Sequence, residues 1–267
     1  MKHAFAYGIM LGLGLSGCCA KEEVQAAPDL ASLRDIRIDY ERTGWVPVQE
    51  QFTIQPALEG DGFTLRGSRG TESGESVDVE RPISPEALQA FLLELKSPAW
   101  PRNKGIVAVT RRIDRKALRP NTLFSRLPPS SCTDAEIQQL AALHVKRKRV
   151  IGLVDDLYGQ GIMWTDDYPF AVVQVRWEGQ PDFVMSSRSQ KAMMLPWDIG
   201  VPVDAPDPSG ENWSLPLTAS LRALLPPASY LHQRLDGTAR LQKRLAMNIW
   251  LEADGQCDAL RPRRGVD

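Results

Sequence analysis

The N-terminal residues constrain the fold most, because they separate a removable leader from the part of the chain that folds. Met1-Lys2-His3 gives a charged start, and an apolar run from Ala4 to Leu15 follows it. This arrangement is typical of a secretory signal peptide. The run is shorter than the roughly 20 apolar residues that a transmembrane helix needs. We therefore expect residues 1–17 to be removed and to take no part in the fold.

The leader ends in Leu15-Ser16-Gly17-Cys18, which resembles a bacterial lipobox. The resemblance implies that Cys18 becomes the lipidated first residue of the mature chain, and its acyl chains would hold the protein stably at a membrane. Cys19 follows, rather than the aspartate that retains many lipoproteins in the inner membrane. We therefore expect a periplasmic protein on the inner leaflet of the outer membrane. An ordinary signal peptide followed by an accidental cysteine is the alternative.

Charge and composition limit the classes of partner. The whole chain has 32 basic and 33 acidic residues, and loss of the leader removes only Lys2. A basic stripe would be expected of a nucleic-acid-binding protein, so the near balance predicts no nucleic-acid partner. Hydrophobic residues make up 43% of the chain, which is enough for a core. No Cys/His spacing typical of a metal site occurs, and we expect neither metal nor cofactor.

The remaining cysteines are Cys19, Cys132 and Cys257. Since the periplasm is oxidising, a Cys132–Cys257 disulfide is the natural pairing. Two buried free thiols are the alternative.

Periodicity predicts an α+β protein in which antiparallel hairpins are packed by helices. Residues 18–31 read as a tether and residues 32–267 as the globular domain. Ile36, Ile38 and Tyr40 alternate with charged residues, as in a half-buried strand. The other predicted strands lie at Gln51–Gln55, Phe63–Leu65, Ile106–Thr110, Phe170–Trp177 and Phe183–Ser186.

Helix signals are equally local. Ser84-Pro85 opens a helix, and Thr133-Asp134-Ala135-Glu136 is a capping box that opens another. Further helices are predicted over Val150–Leu157, around Leu217–Leu225, and from Leu235 to Trp250 with a break near Gly237.

The two halves, 32–130 and 131–267, show a weak internal similarity. Phe63–Arg69 is similar to Phe183–Ser189, and each segment follows a turn and precedes a helix. Two repeated hairpin-plus-helix units are one interpretation, and chance similarity of common elements is the other.

No pattern indicates catalysis. The mature chain has two histidines, His144 and His232, and neither lies near a nucleophile motif. Adjacent carboxylates such as Asp166-Asp167 point in different directions in regular structure, so they rarely form an acid/base pair. We expect no enzymatic activity.

The segment from Trp164 to Trp197 is the densest feature of the chain. It mixes aromatic residues, methionines and arginine with short polar residues, as the cores of protein interfaces do. Filling of the domain core explains most of these residues, taken one by one, better than an interface does. The loop positions Asp166, Asp167, Tyr168 and Arg188 are predicted to bind a partner, because loop groups at strand ends are free to face outward.

The lipobox, Asp166-Asp167-Tyr168-Pro169, and the later Ser187-Arg188-Ser189-Gln190 and Met194-Leu195-Pro196-Trp197 together resemble periplasmic immunity lipoproteins of effector–immunity pairs, including FrpD-like lipoproteins. The resemblance implies a membrane-anchored binder that neutralises an antibacterial effector without catalysis. An envelope structural or assembly lipoprotein that binds another envelope protein is the alternative.

Overall fold

Strands that alternate apolar and polar residues form the centre of the molecule, and helices cover one side of them. The computed structural model describes residues 30–43, 47–60, 62–71, 74–118, 133–159, 169–188, 193–200 and 211–260. Within them the strands are β1 (Leu33–Arg42), β2 (Val48–Pro56), β3 (Phe63–Gly70), β4 (Ser76–Ile83), β5 (Phe170–Trp177), β6 (Phe183–Arg188), β7 (Trp197–Gly200) and β8 (Glu211–Asn212). The helices are α1 (Pro85–Lys96), α2 (Arg102–Arg111), α3 (Asp134–His144), α4 (Arg147–Gly159), α5 (Leu215–Leu224), α6 (Tyr230–Leu235) and α7 (Thr238–Leu260).

All eight strands join one antiparallel sheet in the order β4-β3-β2-β1-β5-β6-β7-β8. The predicted α+β class is therefore confirmed. Each half of the sheet runs as a meander, and the central β1–β5 pair connects the two meanders, with Ile38 opposite Val173. Because this pair joins residues from both halves of the chain, the sheet is continuous across the boundary proposed near residue 130.

The turn between β2 and β3 shows how local sequence sets the register. Gly60 adopts φ +85°, a left-handed conformation that favours glycine. The amide of Ala57 donates to the carbonyl of Gly62 across the turn at 2.9 Å. Ile54 then lies opposite Leu65, and both side chains are fully buried. The strands predicted at Gln51–Gln55 and Phe63–Leu65 are thereby confirmed, and they pair as a hairpin.

The helices begin at the predicted caps. The Ser84 hydroxyl accepts from the amide of Ala87 at the start of α1, and Thr133 and Glu136 form the capping box of α3. Each cap satisfies amides that have no partner within the helix. The buried face of α1 carries Leu88, Phe91, Leu92 and Leu95, which recur at i, i+3, i+4 and i+7.

Helix α1 packs against α5, and α5 is tied to the sheet. The Trp197 indole donates to the Thr218 hydroxyl at 3.0 Å, and Arg81 of β4 donates to the carbonyl of Leu225 at 3.1 Å. These bonds hold the helical layer on one side of the sheet, so the core lies between the two layers.

The strand predicted at Ile106–Thr110 is wrong, because this segment lies in helix α2. Although β-branched residues favour strands, Ile106, Val109 and Thr110 are buried at helical spacing. A strand would have sent neighbouring buried residues to opposite faces. Packing of α2 against the core overrides the local preference.

A repeat of hairpin-plus-helix units is not confirmed. The proposed alignment placed Phe63–Arg69 on Phe183–Ser189. The first segment lies in β3, the third strand of its meander, whereas the second begins in β6, the second strand of its own.

Candidate binding surface

Most of the predicted partner-binding residues lie outside the described part of the chain. This is the case for Asp166, Asp167 and Tyr168. The backbone of Arg188 ends β6 and pairs with Phe170, the first residue of β5. The Arg188 side chain is not among the described groups.

The predicted lipidation and disulfide residues are described only in part. Cys18 and Cys132 lie outside the described residues. Cys257, on α7, is buried and disulfide-bonded. Its partner cysteine lies outside the described residues, so the pairing with Cys132 stays a prediction.

The end of the dense segment belongs to the core. Met193, Met194, Leu195 and Trp197 are each at most 1% exposed. The interpretation of these residues as core filling is therefore correct, and they are not available to a partner.

Both histidines are held by the helical layer. His144 is buried, with Nδ1 3.2 Å from a carboxylate oxygen of Glu252 and Nε2 3.4 Å from the side-chain oxygen of Gln256. His232 is half-buried on α6. Burial lowers its pKa below 6.5, and the charge of Arg222 adds to this effect, while Asp236 opposes it. These contacts connect helices to one another.

The face of the sheet turned away from the helices, which we call the open face, carries ordered rows of polar side chains. One row crosses all eight strands through directly paired residues. In sheet order it consists of Asp78, Ser68, Gln51, Asp39, Val172, Ser186, Asp198 and Glu211. We call it the acidic row, because it contains four carboxylates and no basic residue.

The neighbouring row contains arginines. It runs through Glu80, Arg66, Thr53, Arg37, Gln174, Val184 and Gly200. The Arg37 side chain is 51% exposed and the Arg66 side chain 45% exposed. Arg66 pairs with Glu80 at 2.9 Å. We call this the arginine row.

Two carboxyls of the acidic row, those of Asp39 and Asp198, have raised pKa values in the free protein. Burial raises the pKa of the Asp39 carboxyl, although the Arg37 charge lowers it in part. Burial also raises the pKa of the Asp198 carboxyl, and the nearby Glu211 charge adds to that rise. A cationic group placed over either carboxylate would stabilise its charged form.

The half of the open face on β5 and β6 is less polar. Phe170, Val172 and Val184 are half-buried there, among Gln174 and Ser186. On the other half, a shallow depression of about 640 Å³ lies between β2, β3 and β4. Its lining is polar and includes Gln51, Thr53, Arg66, Ser68, Asp78 and Glu80. Apolar and charged areas therefore lie side by side.

The alternation of apolar and polar residues in the sequence indicates part of this surface. The charged residues between Ile36, Ile38 and Tyr40 are Arg37 and Asp39, which belong to the arginine and acidic rows. Strand β4 was not predicted, although Val77-Asp78-Val79-Glu80 alternates in the same way. Which charges share a row depends on the pairing register of the strands. The sequence alone does not determine that register.

Comparison with models of protein families, with curated proteins and with solved structures finds no match for this chain. Among the described residues, no group of three or more His, Cys, Asp or Glu side chains is placed to hold a metal ion. None of the described helices is both long and apolar enough to cross a bilayer.

Proposed function

We propose that this chain is a lipid-anchored periplasmic immunity protein that binds and neutralises an antibacterial effector through the open face of its sheet. The proposal rests on one observation: the acidic row and the arginine row lie next to each other, beside the less polar area on β5 and β6. Rows of opposite charge favour a partner with the complementary arrangement, and misplaced charges exclude other partners.

The size of the open face supports a protein as the ligand. At a strand spacing of about 4.8 Å, strands β1 to β6 span about 24 Å. Eight residues along a strand span about 26 Å, so the area is on the order of 600 Å². This is close to the share of one partner in a standard interface, roughly 800 Å². The proposal also rests on the lipobox at Cys18 and on the resemblance to immunity lipoproteins.

The test is a competition between sibling bacteria. A strain without the gene is challenged by its wild-type siblings and then complemented with native or variant protein. We expect deletion to cause killing and Arg37→Glu/Arg66→Glu to rescue poorly. Losing a buried, paired charge at an interface costs about 2–5 kcal/mol, mostly through faster dissociation. Both arginines are half exposed, so each reversal should destabilise the free protein by no more than about 1 kcal/mol, although it places like charges beside Glu80 and Asp35.

The matched control is Lys243→Glu/Arg244→Glu, which reverses two exposed charges on α7. It should rescue fully. Unchanged survival after deletion would contradict immunity and favour an envelope structural or assembly role. Full rescue by a folded Arg37→Glu/Arg66→Glu variant would move the contact surface away from the open face. An Asp166→Ala/Arg188→Ala variant would then test the partner-binding residues predicted from the sequence.

A further inference from the structure

A second surface, built by helices, has a different chemistry from the open face. A groove of about 580 Å³ lies between the segment after α2 and helix α3. Its walls include the apolar side chains of Ile113, Leu118, Ala141 and Val145. Arg115 and Lys116 form part of its rim.

The groove is held in shape by α7. The Gln242 side chain accepts from the Asp114 amide at 3.1 Å and donates to the Asp114 carbonyl at 2.6 Å. The Asp114 carboxylate in turn accepts from the Lys116 amide at 2.9 Å. Since this carboxylate caps the turn at Arg115–Ala117, the basic rim is fixed on a formed scaffold.

Positive charge is concentrated in the two chain segments that border this groove, and Arg115 and Lys116 line the groove itself. One basic run contains Arg111, Arg112, Arg115 and Lys116, and a second starts directly after the wall residue Val145 and contains Lys146, Arg147, Lys148 and Arg149. All of these residues are exposed. Asp114 is the only acidic residue within residues 111–118 and 145–150, and Arg149 pairs with Glu252. This excess stands out in a chain whose formal net charge is -1.

An exposed apolar side chain accompanies the charge. Leu143, two residues before Val145, is 58% exposed. Basic residues beside an exposed leucine and an apolar groove are typical of surfaces that lie in the headgroup region of an anionic bilayer. An acidic protein would match the same charges, and the proposed lipid anchor favours lipid because it already holds the chain at a membrane.

We infer that this groove, with its two basic runs, docks on the anionic phospholipid headgroups of the membrane that holds the protein. The inference rests on the proposed lipid anchor, but it does not depend on immunity. The chain between Cys18 and Leu30 can span at most roughly 40 Å, which keeps the groove within reach of the bilayer. The anchor supplies the attachment, and the groove sets the orientation. Docking through the helices leaves the open face of the sheet accessible.

The test uses lysine footprinting on the full-length lipidated protein. The protein is reconstituted in vesicles of phosphatidylcholine, or of phosphatidylcholine mixed with phosphatidylglycerol, and is labelled with a water-soluble amine-reactive reagent. Mass spectrometry then gives the labelling rate of each lysine, and the mass of the Cys18 peptide verifies the anchor. We expect Lys116, Lys146 and Lys148 to react about fivefold more slowly in the anionic vesicles. This factor corresponds to about 1 kcal/mol per cation near an anionic surface. The exposed Lys96 on α1 should not change.

Two variants make the result specific. Lys146→Gln/Lys148→Gln should restore the reactivity of Lys116, whereas the control Lys96→Gln should not. Salt near 1 M should remove the protection, because it shortens the screening length to about 3 Å.

Three outcomes would overturn the inference. Equal labelling in both kinds of vesicle would exclude docking on anionic lipid. Equal protection by inorganic phosphate in neutral vesicles would indicate a small-anion site. Protection that requires an added acidic protein would indicate a protein interface. The sibling competition tests the open face of the sheet and not the groove. Failure of the immunity proposal or of the lipid-docking proposal therefore leaves the other one testable.

Discussion

Glu50 is a buried carboxylate whose partners are two backbone amides far along the chain. Its side chain is on the core side of β2 and has no exposed area. It accepts from the amides of Tyr230 and Leu231 at 2.8 and 2.9 Å, at the start of α6. Burial raises its pKa above 4.5, the value for an unfolded chain, although the two amide bonds and the Arg69 charge lower it in part. One residue thus joins the sheet to a short helix.

Replacing Glu50 by alanine should lower the free energy of unfolding by about 2–3 kcal/mol, because two buried amides lose a charged acceptor. Glu50→Gln should cost less at neutral pH, since it keeps one acceptor and removes a buried charge. The exposed neighbour Gln49→Ala should change the stability by less than about 0.5 kcal/mol. Urea unfolding monitored by circular dichroism measures all three variants. A cost for Glu50→Ala no larger than that for Gln49→Ala would show that the bonds to α6 do not stabilise the fold.

The pH dependence of the Glu50→Gln comparison has a definite sign. Because the folded pKa of Glu50 is raised, its contribution to stability is greatest below about pH 4.5 and declines as the pH rises through the folded pKa. Glutamine does not ionise. The native protein should therefore lose part of its stability advantage over Glu50→Gln as the pH rises through the folded pKa of Glu50. An advantage that grows with pH would mean that the amide bonds outweigh burial and lower the folded pKa.

At this scale the sequence predicts contacts only where both partners are close along the chain. The Ser84 cap and the Thr133–Glu136 capping box were predicted, because each joins residues three apart. The role of Glu50 was not predicted, because its hydrogen-bond partners follow it by 180 residues or more along the chain.

Helix α2 illustrates how packing decides the type of an element. A Cβ added to Gly105 would lie 2.3 Å from the Trp213 Cβ and 2.9 Å from the Trp213 carbonyl oxygen. The absence of a side chain therefore lets α2 approach the backbone before α5. Arg102, at the start of α2, lies over the Trp213 ring at 5.0 Å. These contacts involve residues more than 100 positions apart, which explains why local β-branched residues misled the sequence prediction.

Gly105→Ala should destabilise the protein by about 1–3 kcal/mol, the usual range for overpacking, although alanine is the better helix former. The matched control is Gly152→Ala in α4, where an added Cβ meets nothing within 4 Å. That change should stabilise by about 0.5–1 kcal/mol through helix propensity alone. Thermal unfolding of the two variants measures the contrast. Equal effects in the same direction would disprove the close approach of α2 to Trp213.

For the whole molecule, most elements were predictable, but their arrangement was not. Alternation and capping located most strands and helices, because both signals are local. The sheet order depends on the β1–β5 pairing, which joins Leu33–Arg42 to Phe170–Trp177. The acidic row depends on the registers of all seven strand pairs, so no single stretch of the sequence shows it. Asp39 and Asp198 were therefore missed as candidates. Of the chosen residues, Asp166, Asp167 and Tyr168 lie outside the described chain, and Arg188 ends strand β6 rather than lying in a loop.

The attachment of the molecule to a membrane is tested at Cys18. Cys18→Ala should abolish labelling with radioactive palmitate and prevent signal cleavage at Gly17–Cys18, because the lipobox requires the cysteine. Cys19→Ala is the neighbouring control and should keep both. Labelling and membrane fractionation of cells that express each variant measure the outcome. Retained palmitate on Cys18→Ala would contradict the anchor.

With Cys132 as its partner, as predicted, the disulfide at Cys257 would constrain a large part of the molecule. Cys257 is buried near the end of α7, which packs against α3, and the predicted partner Cys132 directly precedes the capping box of α3. A Cys132–Cys257 bond would enclose helices α3 to α7 and strands β5 to β8 in one loop. Loops of this length stabilise by up to about 4–5 kcal/mol in the entropic model. Mass mapping without reduction should therefore find these two peptides linked, and Cys132→Ser should lower the unfolding free energy by several kcal/mol. Cys19→Ser, at the tether, should leave it unchanged. A Cys257 peptide linked to Cys19 instead would replace this loop with one that ties the tether to α7, and the stability loss would then follow Cys19→Ser.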